Sequence, residues 1–196
     1  MLAALFLPDP TVLHLEHIAI EEDHVTLTVR TSRDTVGCPS CSCPATRIHS
    51  RYVRQVADLP CGARSVHLQL HCRRFFCANP ACPRRTFSER LPTVVAPSAR
   101  RTVRQAAQLQ QTGLRAGGET GARLLQDAGI LISPDTVLRA IRRTGALPAP
   151  TPRVLGIDDW ARRKGQTYGT IRCDLETGQP VDLLADRTAE TLAANR

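Results

Sequence analysis

Aromatic residues are scarce in this chain of 196 residues, with four Phe, two Tyr and one Trp. A core built on large rings is excluded, so a small β-rich segment must draw stability from another source. Lysine is nearly missing: Lys164 is the only one, and the remaining basic residues are arginines. No apolar run approaches the roughly 18 residues a membrane-spanning helix needs, which excludes such a helix and a membrane partner of that kind. The opening stretch MLAALFLPDP has no basic residue before its short apolar part, which argues against a signal peptide. Internal repeats and low-complexity tracts are also missing. A cytoplasmic protein is expected, with cysteines that are reduced or metal-bound rather than paired as disulfides.

The formal net charge is +8 and the sequence pI about 9.5. Residues 1–37 carry two arginines against six acids, and residues 148–196 balance seven bases with seven acids. Between them, residues 38–98 hold nine arginines against two acids, and residues 99–147 hold eight against three. An excess gathered mid-chain points to a polyanion, nucleic acid first and an anionic membrane surface second. Arginine suits that partner because its planar fork grips phosphates and guanine edges through paired hydrogen bonds.

The pattern of apolar residues divides the chain. VLHLEHIAI and VTLTVR alternate at period two on either side of Glu21-Glu22-Asp23, a hairpin over residues 11–31. SVHLQLHC places Val66, Leu68, Leu70 and Cys72 on one strand face, and YVRQVADLP reads as a second, shorter strand. From Ser98 the period becomes helical. SARRTVRQAAQLQQ sets Val103, Ala106, Ala107 and Gln110 along one side, and Gly113, Gly117 and Gly118 interrupt it. ETGARLLQDAG is a short helix ending at Gly129. Ser133 suits an N-cap and Pro134 the first helical position of another, which buries Val137, Leu138 and Ile141 and ends at Gly145. Three prolines in ALPAPTP make a stiff linker. Beyond it RVLGID, TYGTIRCD and PVDLLAD read as strands, and Thr188 caps a final helix. The expected domains are 1–97, 98–147, a linker at 148–152, and 153–196.

Seven of the eight cysteines fall between residues 38 and 82. Cys38-Pro-Ser-Cys41 and Cys77-Ala-Asn-Pro-Ala-Cys82 are two loops of a length that bends paired thiolates onto one ion, and two such knuckles complete a tetrahedral zinc site. The metal would then supply folding free energy that the aromatic-poor ribbon lacks. Cys43 leaves the first pair ambiguous, since it can exchange with Cys41 or stand spare. His49 and His71 are the nearest imidazoles. Arg73, Arg74, Arg84 and Arg85 interleave with Phe75, Phe76 and Phe87, a mixture suited to phosphate contact and stacking, or simply to a ribbon core with solvated arginines.

Two short helices joined by a tight turn, the second with outward arginines, fit a helix-turn-helix, and taken alone they fit a small helical bundle with a basic outer face equally well. In that geometry Thr136 and Arg139 reach base edges, and Arg142 and Arg143 hold phosphates.

One feature remains: adjacent acids, Asp158 and Asp159, end the short apolar run that begins at Val154. The knuckle CPSC, the run RRFFC with NPACPRRTFSERLP, and GIDDWARRKGQTYGT with the following D, ETG and DR together resemble a bacterial insertion-sequence transposase of the ISL-three family. The resemblance implies a zinc ribbon, a helix-turn-helix, and a DDE catalytic domain of RNase H-like fold that opens with three antiparallel strands. It places the first catalytic acid at Asp158, where Mg2+ would be held in a complete catalytic set. Asp159, the next residue of the strand, is expected to face the other way. The second Asp and final Glu of such a set lie beyond the third strand, and Asp174, Asp182 and Asp186 do not suit those roles.

The expected fold is thus α+β multidomain: a β-rich zinc ribbon, a helix-turn-helix bundle, then the first three strands of an RNase H-like fold. The expected function is that of the DNA-binding N-terminal part of a transposase, catalytically incomplete as it stands. It would bind the terminal inverted repeats of its element in duplex DNA, with homodimerisation left open. The alternative is a zinc-dependent transcriptional regulator, which has no reason to carry the block from Ile157 to Thr170.

Overall fold

Alternation over residues 13–31 yields two antiparallel strands, β1 (Leu13–Ile20) and β2 (His24–Thr31), with Leu13 opposite Thr31 and Ile20 opposite Val25. The computed structural model describes residues 6–62, 64–143, 151–163 and 165–194. Two compact units emerge, residues 1–145 and 146–196. The expected stop at Gly145 and linker residues 148–150 lie outside the described residues.

In the first unit a two-residue pair, β3 (Val36–Gly37) and β4 (Pro44–Ala45), brackets the first cysteine loop. A long hairpin follows: β5 (Ile48–Cys61) and β6 (Arg64–Phe76), then short β7 (Thr86–Ser88). The sheet order is β1-β2-β6-β5, with β7 also on β6. β2 and β6 run parallel, Val25 beside Val66 and Val29 beside Leu70. Val66, Leu68, Leu70 and Cys72 are buried together as the alternation implies, packed with Leu27, Val29, Val56 and Val94. β5 is not the shorter strand expected: its antiparallel partner β6 supports it from Ile48 to Cys61, across irregular pairing at both ends.

Thr102 opens the helical part, its hydroxyl accepting from the Gln105 amide, and α1 runs Val103–Asp127. Gly117 breaks α1 in two at φ 74°, ψ −170°, a conformation open to glycine because it has no Cβ. Gln105, Leu109 and Gly113 are buried, while Val103 is 42% exposed, so the buried face is rotated from the expected one. Tertiary partners decide this. Gln105 donates to the Asp58 carbonyl (2.7 Å), and Gly113 admits Val137 and Ile141 so closely that a Cβ there would lie 2.7 Å from Val137 Cγ1. α2 (Pro134–Arg142) buries Val137 against Leu109 and Leu125; Leu138 is 36% exposed and lies over Gly118. Ser133 holds the N-cap position, but its hydroxyl meets Thr136 Oγ1 rather than a backbone amide.

The expected boundary at residue 98 falls inside this unit, where sheet and helix are tied together. The carboxylate of Asp58, fully buried on β5, accepts from Thr102 Oγ1 (2.7 Å), Arg104 Nε (2.8 Å) and Arg104 Nη2 (2.6 Å). Arg104 also donates to the Phe6 and Leu7 carbonyls. On either side of Arg101, Ala57 N donates to the Arg100 carbonyl and Thr102 N to the Ala57 carbonyl, each at 2.9 Å.

The second unit is an antiparallel sheet ordered β10-β9-β8, from β8 (Leu155–Arg163), β9 (Thr167–Asp174) and β10 (Gln179–Leu184). α3 (Ala189–Ala194) follows, and Thr188 caps it by accepting from the Thr191 amide (3.2 Å). The acid pair sits inside β8 rather than at its end, because β9 pairs onward to Arg163 opposite Thr167. The architecture is therefore mixed α+β with a β-rich N-terminal part.

Candidate metal centre and basic face

The first cysteine loop is closed by Cys38 N donating to the Cys43 carbonyl (2.9 Å) and Ser42 N to the Cys38 carbonyl (2.8 Å), with Ser42 left-handed at φ 57°. In the second, Asn79 organises the turn: its side chain accepts from Ala81 N (2.9 Å) and its carbonyl from Cys82 N (3.1 Å). β6 ends at Phe76 and β7 begins at Thr86, so the sheet fixes both ends of this loop. Arg84 Nε donates to Ser40 Oγ (3.0 Å), linking one loop to the other.

These constraints gather Cys38, Cys41, Cys77 and Cys82, whose Sγ atoms all lie within 4.8 Å of one another. Cys38 and Cys82 are 4.0 Å apart and Cys41 and Cys77 3.6 Å. A tetrahedron of thiolates with zinc–sulfur bonds of about 2.3 Å has edges of about 3.8 Å, which these distances bracket. Disulfides, at about 2.05 Å, do not fit. Among the described residues this is the one such grouping of three or more ligand-type side chains. Cys43 is outside it, its Sγ turned to the Pro44 carbonyl, and His49 bonds to Ser50 and packs on Phe76. Cys72 belongs to the core, where burial pushes its thiol up to about 11.

The electrostatics favour a cation. Burial raises the Cys38 thiol, but the amides of Ser40 and Cys41 and the adjacent thiols more than offset it and bring it to about 7. The Asn79 amide favours the Cys77 thiolate; burial and the thiols of Cys41, Cys38 and Cys82 outweigh it, leaving Cys77 at about 12. Cys82 is raised against the pull of the Arg84 amide, by burial and by Cys41. Four sulfurs this close cannot all ionise unless a positive ion sits among them. The backbone amides aimed at three of them are the second layer that such sites use to steady thiolates.

The candidate arginines divide sharply. Arg73 lies on β6 and is inward: it pairs with buried Glu89 (3.0 Å) and donates to Thr31 Oγ1 (2.6 Å) and the Arg33 carbonyl. Its guanidinium is a structural tie between β6, β2 and the loop after β7. Phe75 and Phe87 are buried beside the cysteines, so they are core and not stacking platforms. Phe76 is half-buried, with Arg47 4.5 Å over its ring. Arg74, Arg84 and Arg85 are exposed, Arg74 lying 4.9 Å over the Tyr52 ring. Arg54, Arg74, Arg84 and Arg90 line one groove that reaches Pro97 and Ser98. Those two residues also border a second cleft, lined by Arg100, Arg101, Thr136, Arg139 and Arg143. An arginine track thus runs from the second cysteine loop to α2, and Arg142 is exposed at the end of α2. Arg54, Arg90 and Arg101 were not singled out in sequence; only their membership of the basic blocks hinted at them.

In the second unit Asp158 and Asp159 are successive residues of β8 and so leave opposite faces. Asp159 pairs with Arg187 at 3.0 Å, and Asp158 Oδ1 accepts from the Asp159 amide at 2.7 Å. The other aspartates serve local structure. Asp174 Oδ1 accepts from the Glu176 amide, Asp182 approaches Arg172 at 3.8 Å, and Asp186 accepts from the Thr188 amide.

Residues 34–84 match the family described as zinc-finger of transposase IS204/IS1001/IS1096/IS1165, roughly a quarter of the chain. No curated protein and no solved structure matches the chain. Residues 34–84 are thus a zinc ribbon of the kind found in those transposases, and its four clustered cysteines hold a structural Zn2+. Among the described residues no helix is long and apolar enough to cross a membrane.

Proposed function

We propose that this chain is the DNA-binding N-terminal part of an insertion-sequence transposase and that it binds the terminal inverted repeats of its element. In this reading zinc holds the ribbon in shape, and Arg74, Arg84 and Arg85 meet backbone phosphates. The second half of α1 and the whole of α2 act as a helix-turn-helix, with Thr136, Arg139, Arg142 and Arg143 turned to the duplex. Strands β8 to β10 open an RNase H-like domain in which Asp158 is the first acid and Mg2+ belongs to the complete catalytic set. One observation carries the reading: the arginine track leads from a transposase-type ribbon to α2 on one body.

The test is selection of bound duplexes from a random-sequence library by the zinc-loaded chain. Enrichment of one motif, matching the ends of the DNA element around the gene, is the expected result. Retention that is sequence-blind, or that RNA competes away as well as duplex DNA, would sink it.

A further inference from the structure

The cleft between residues 96–101 and α2 has an unusual charge arrangement. Backbone bonds to Ala57 hold the chain on both sides of Arg101, which fixes where its half-buried side chain emerges. Across the cleft Arg139 is steadied along its own helix, donating from Nε to the Asp135 carbonyl (3.3 Å) and from Nη2 to Thr136 Oγ1 (3.1 Å). Arg143 follows at the C-cap of α2. The apolar lining includes Ala106, Leu109 and Ala140, and the space measures about 680 Å³. None of the ion pairs among the described residues involves these three arginines. Burial, then Arg139 and Arg143, push the Arg101 guanidinium below its usual range. Among the described residues these three like charges facing one space have no ion-pair partner, and an oxyanion would supply one.

We propose that Arg101, Arg139 and Arg143 together form a seat for a single phosphate of the DNA backbone. The inference rests on the DNA-binding reading and sharpens it. Arg139 serves the backbone rather than a base edge, and the seat sets the height at which α2 enters the groove. A phosphodiester presents two free oxygens, which three forked donors can share. Residues of the loop and of the helix meet on one group, so the angle between them is fixed by the bound strand.

The experiment measures the salt dependence of duplex affinity for the full zinc-loaded chain and for Arg101→Gln, Arg139→Gln, Arg143→Gln and the triple variant. Arg115→Gln, exposed on α1 outside the cleft, is the control, and zinc content with far-UV circular dichroism checks folding. One phosphate contributes about 0.9 to the slope of log affinity against log salt. The triple variant is expected to lose about 0.9 in total, each single variant no more than that, and the control nothing. A loss of roughly 2.7 in the triple variant means three separate contacts and overturns the shared seat, as does no loss. Saturation by inorganic phosphate well below millimolar, with the DNA slope unchanged, would assign the cleft to a small free anion and also overturn it. Failure of the unaltered chain to bind duplex would instead defeat the functional reading itself.

Discussion

Asp58 joins the sheet to the helices, and removing it should loosen that joint in a way its geometry makes calculable. The carboxylate is wholly buried and accepts three hydrogen bonds, one from Thr102 and two from Arg104, whose side chain is 33% exposed. Breaking a buried ion pair costs about 3–5 kcal/mol. In Asp58→Ala the stranded Arg104 can recover water, which places the loss near 3 kcal/mol, including about 1 for the Thr102 hydroxyl left without its acceptor. Arg104→Ala should cost more, because it leaves the carboxylate buried with Thr102 alone and also frees the Phe6 and Leu7 carbonyls. The double variant should lose less than the two single losses added, as expected of groups in contact. Hydrogen exchange read at the first turns of α1, residues 105–109, suits the question because it reports opening of that segment alone. A loss near 3 kcal/mol is a rise of about two orders of magnitude in the opening constant. Strictly additive losses, or a loss under about 1 kcal/mol in Asp58→Ala, would refute the clamp.

Three further outcomes are expected. Protein purified without added zinc should contain close to one equivalent, lost in Cys77→Ser and kept in Cys43→Ser; the reverse pattern in metal analysis would reassign the ligands. Gly113→Ala should destabilise the α1–α2 pair by about 1–3 kcal/mol, because the new methyl lands on Val137 and Ile141; an unchanged urea midpoint would show that the pair yields freely. The chain by itself should neither nick nor join supercoiled DNA carrying the element ends with Mg2+ or Mn2+, since among the described residues no group of three or more ligand-type side chains gathers at Asp158; nicking that disappears in Asp158→Ala would overturn that.

What could be read from sequence was what local pattern controls. The β1–β2 hairpin, the two cysteine loops, the start of α2 at Pro134 and the three strands after residue 153 follow from alternation, loop length and caps. The parallel pairing of β2 with β6 could not be read, because it joins residues such as Thr28 and Gln69, 41 positions apart, with no local mark. The buried face of α1 was hidden for a related reason: Asp58 and α2 select it, and the apolar residues of the helix are too few to do so alone. Arginine was the least legible residue. Arg73 and Arg74 are neighbours of one type, yet one is locked to Glu89 inside and the other lies over Tyr52 at the surface. Alternation carried on from Cys72 would turn Arg74 inward; instead the burial pattern shifts between Cys72 and Phe75, and buried Glu89 holds Arg73 on the inner side.

The parallel step from β2 to β6 also dictates an order of events. Both the first cysteine loop and the whole of β5 lie in the crossover between these strands, so β2 must wait for its partner while some thirty residues fold or search. During that wait the β1–β2 hairpin presents an open edge. The β5–β6 hairpin is local and can form early, whereas its pairing with β2 closes a much longer stretch of chain. The cysteines close circuits of 36 and 44 residues around that hairpin, and capture of the ion brings the end of β2 back toward the end of β6. Chains starved of zinc are therefore expected to aggregate more on refolding than zinc-loaded ones, read by light scattering with and without chelator; equal aggregation would show that the ion plays no part in bringing β2 to β6.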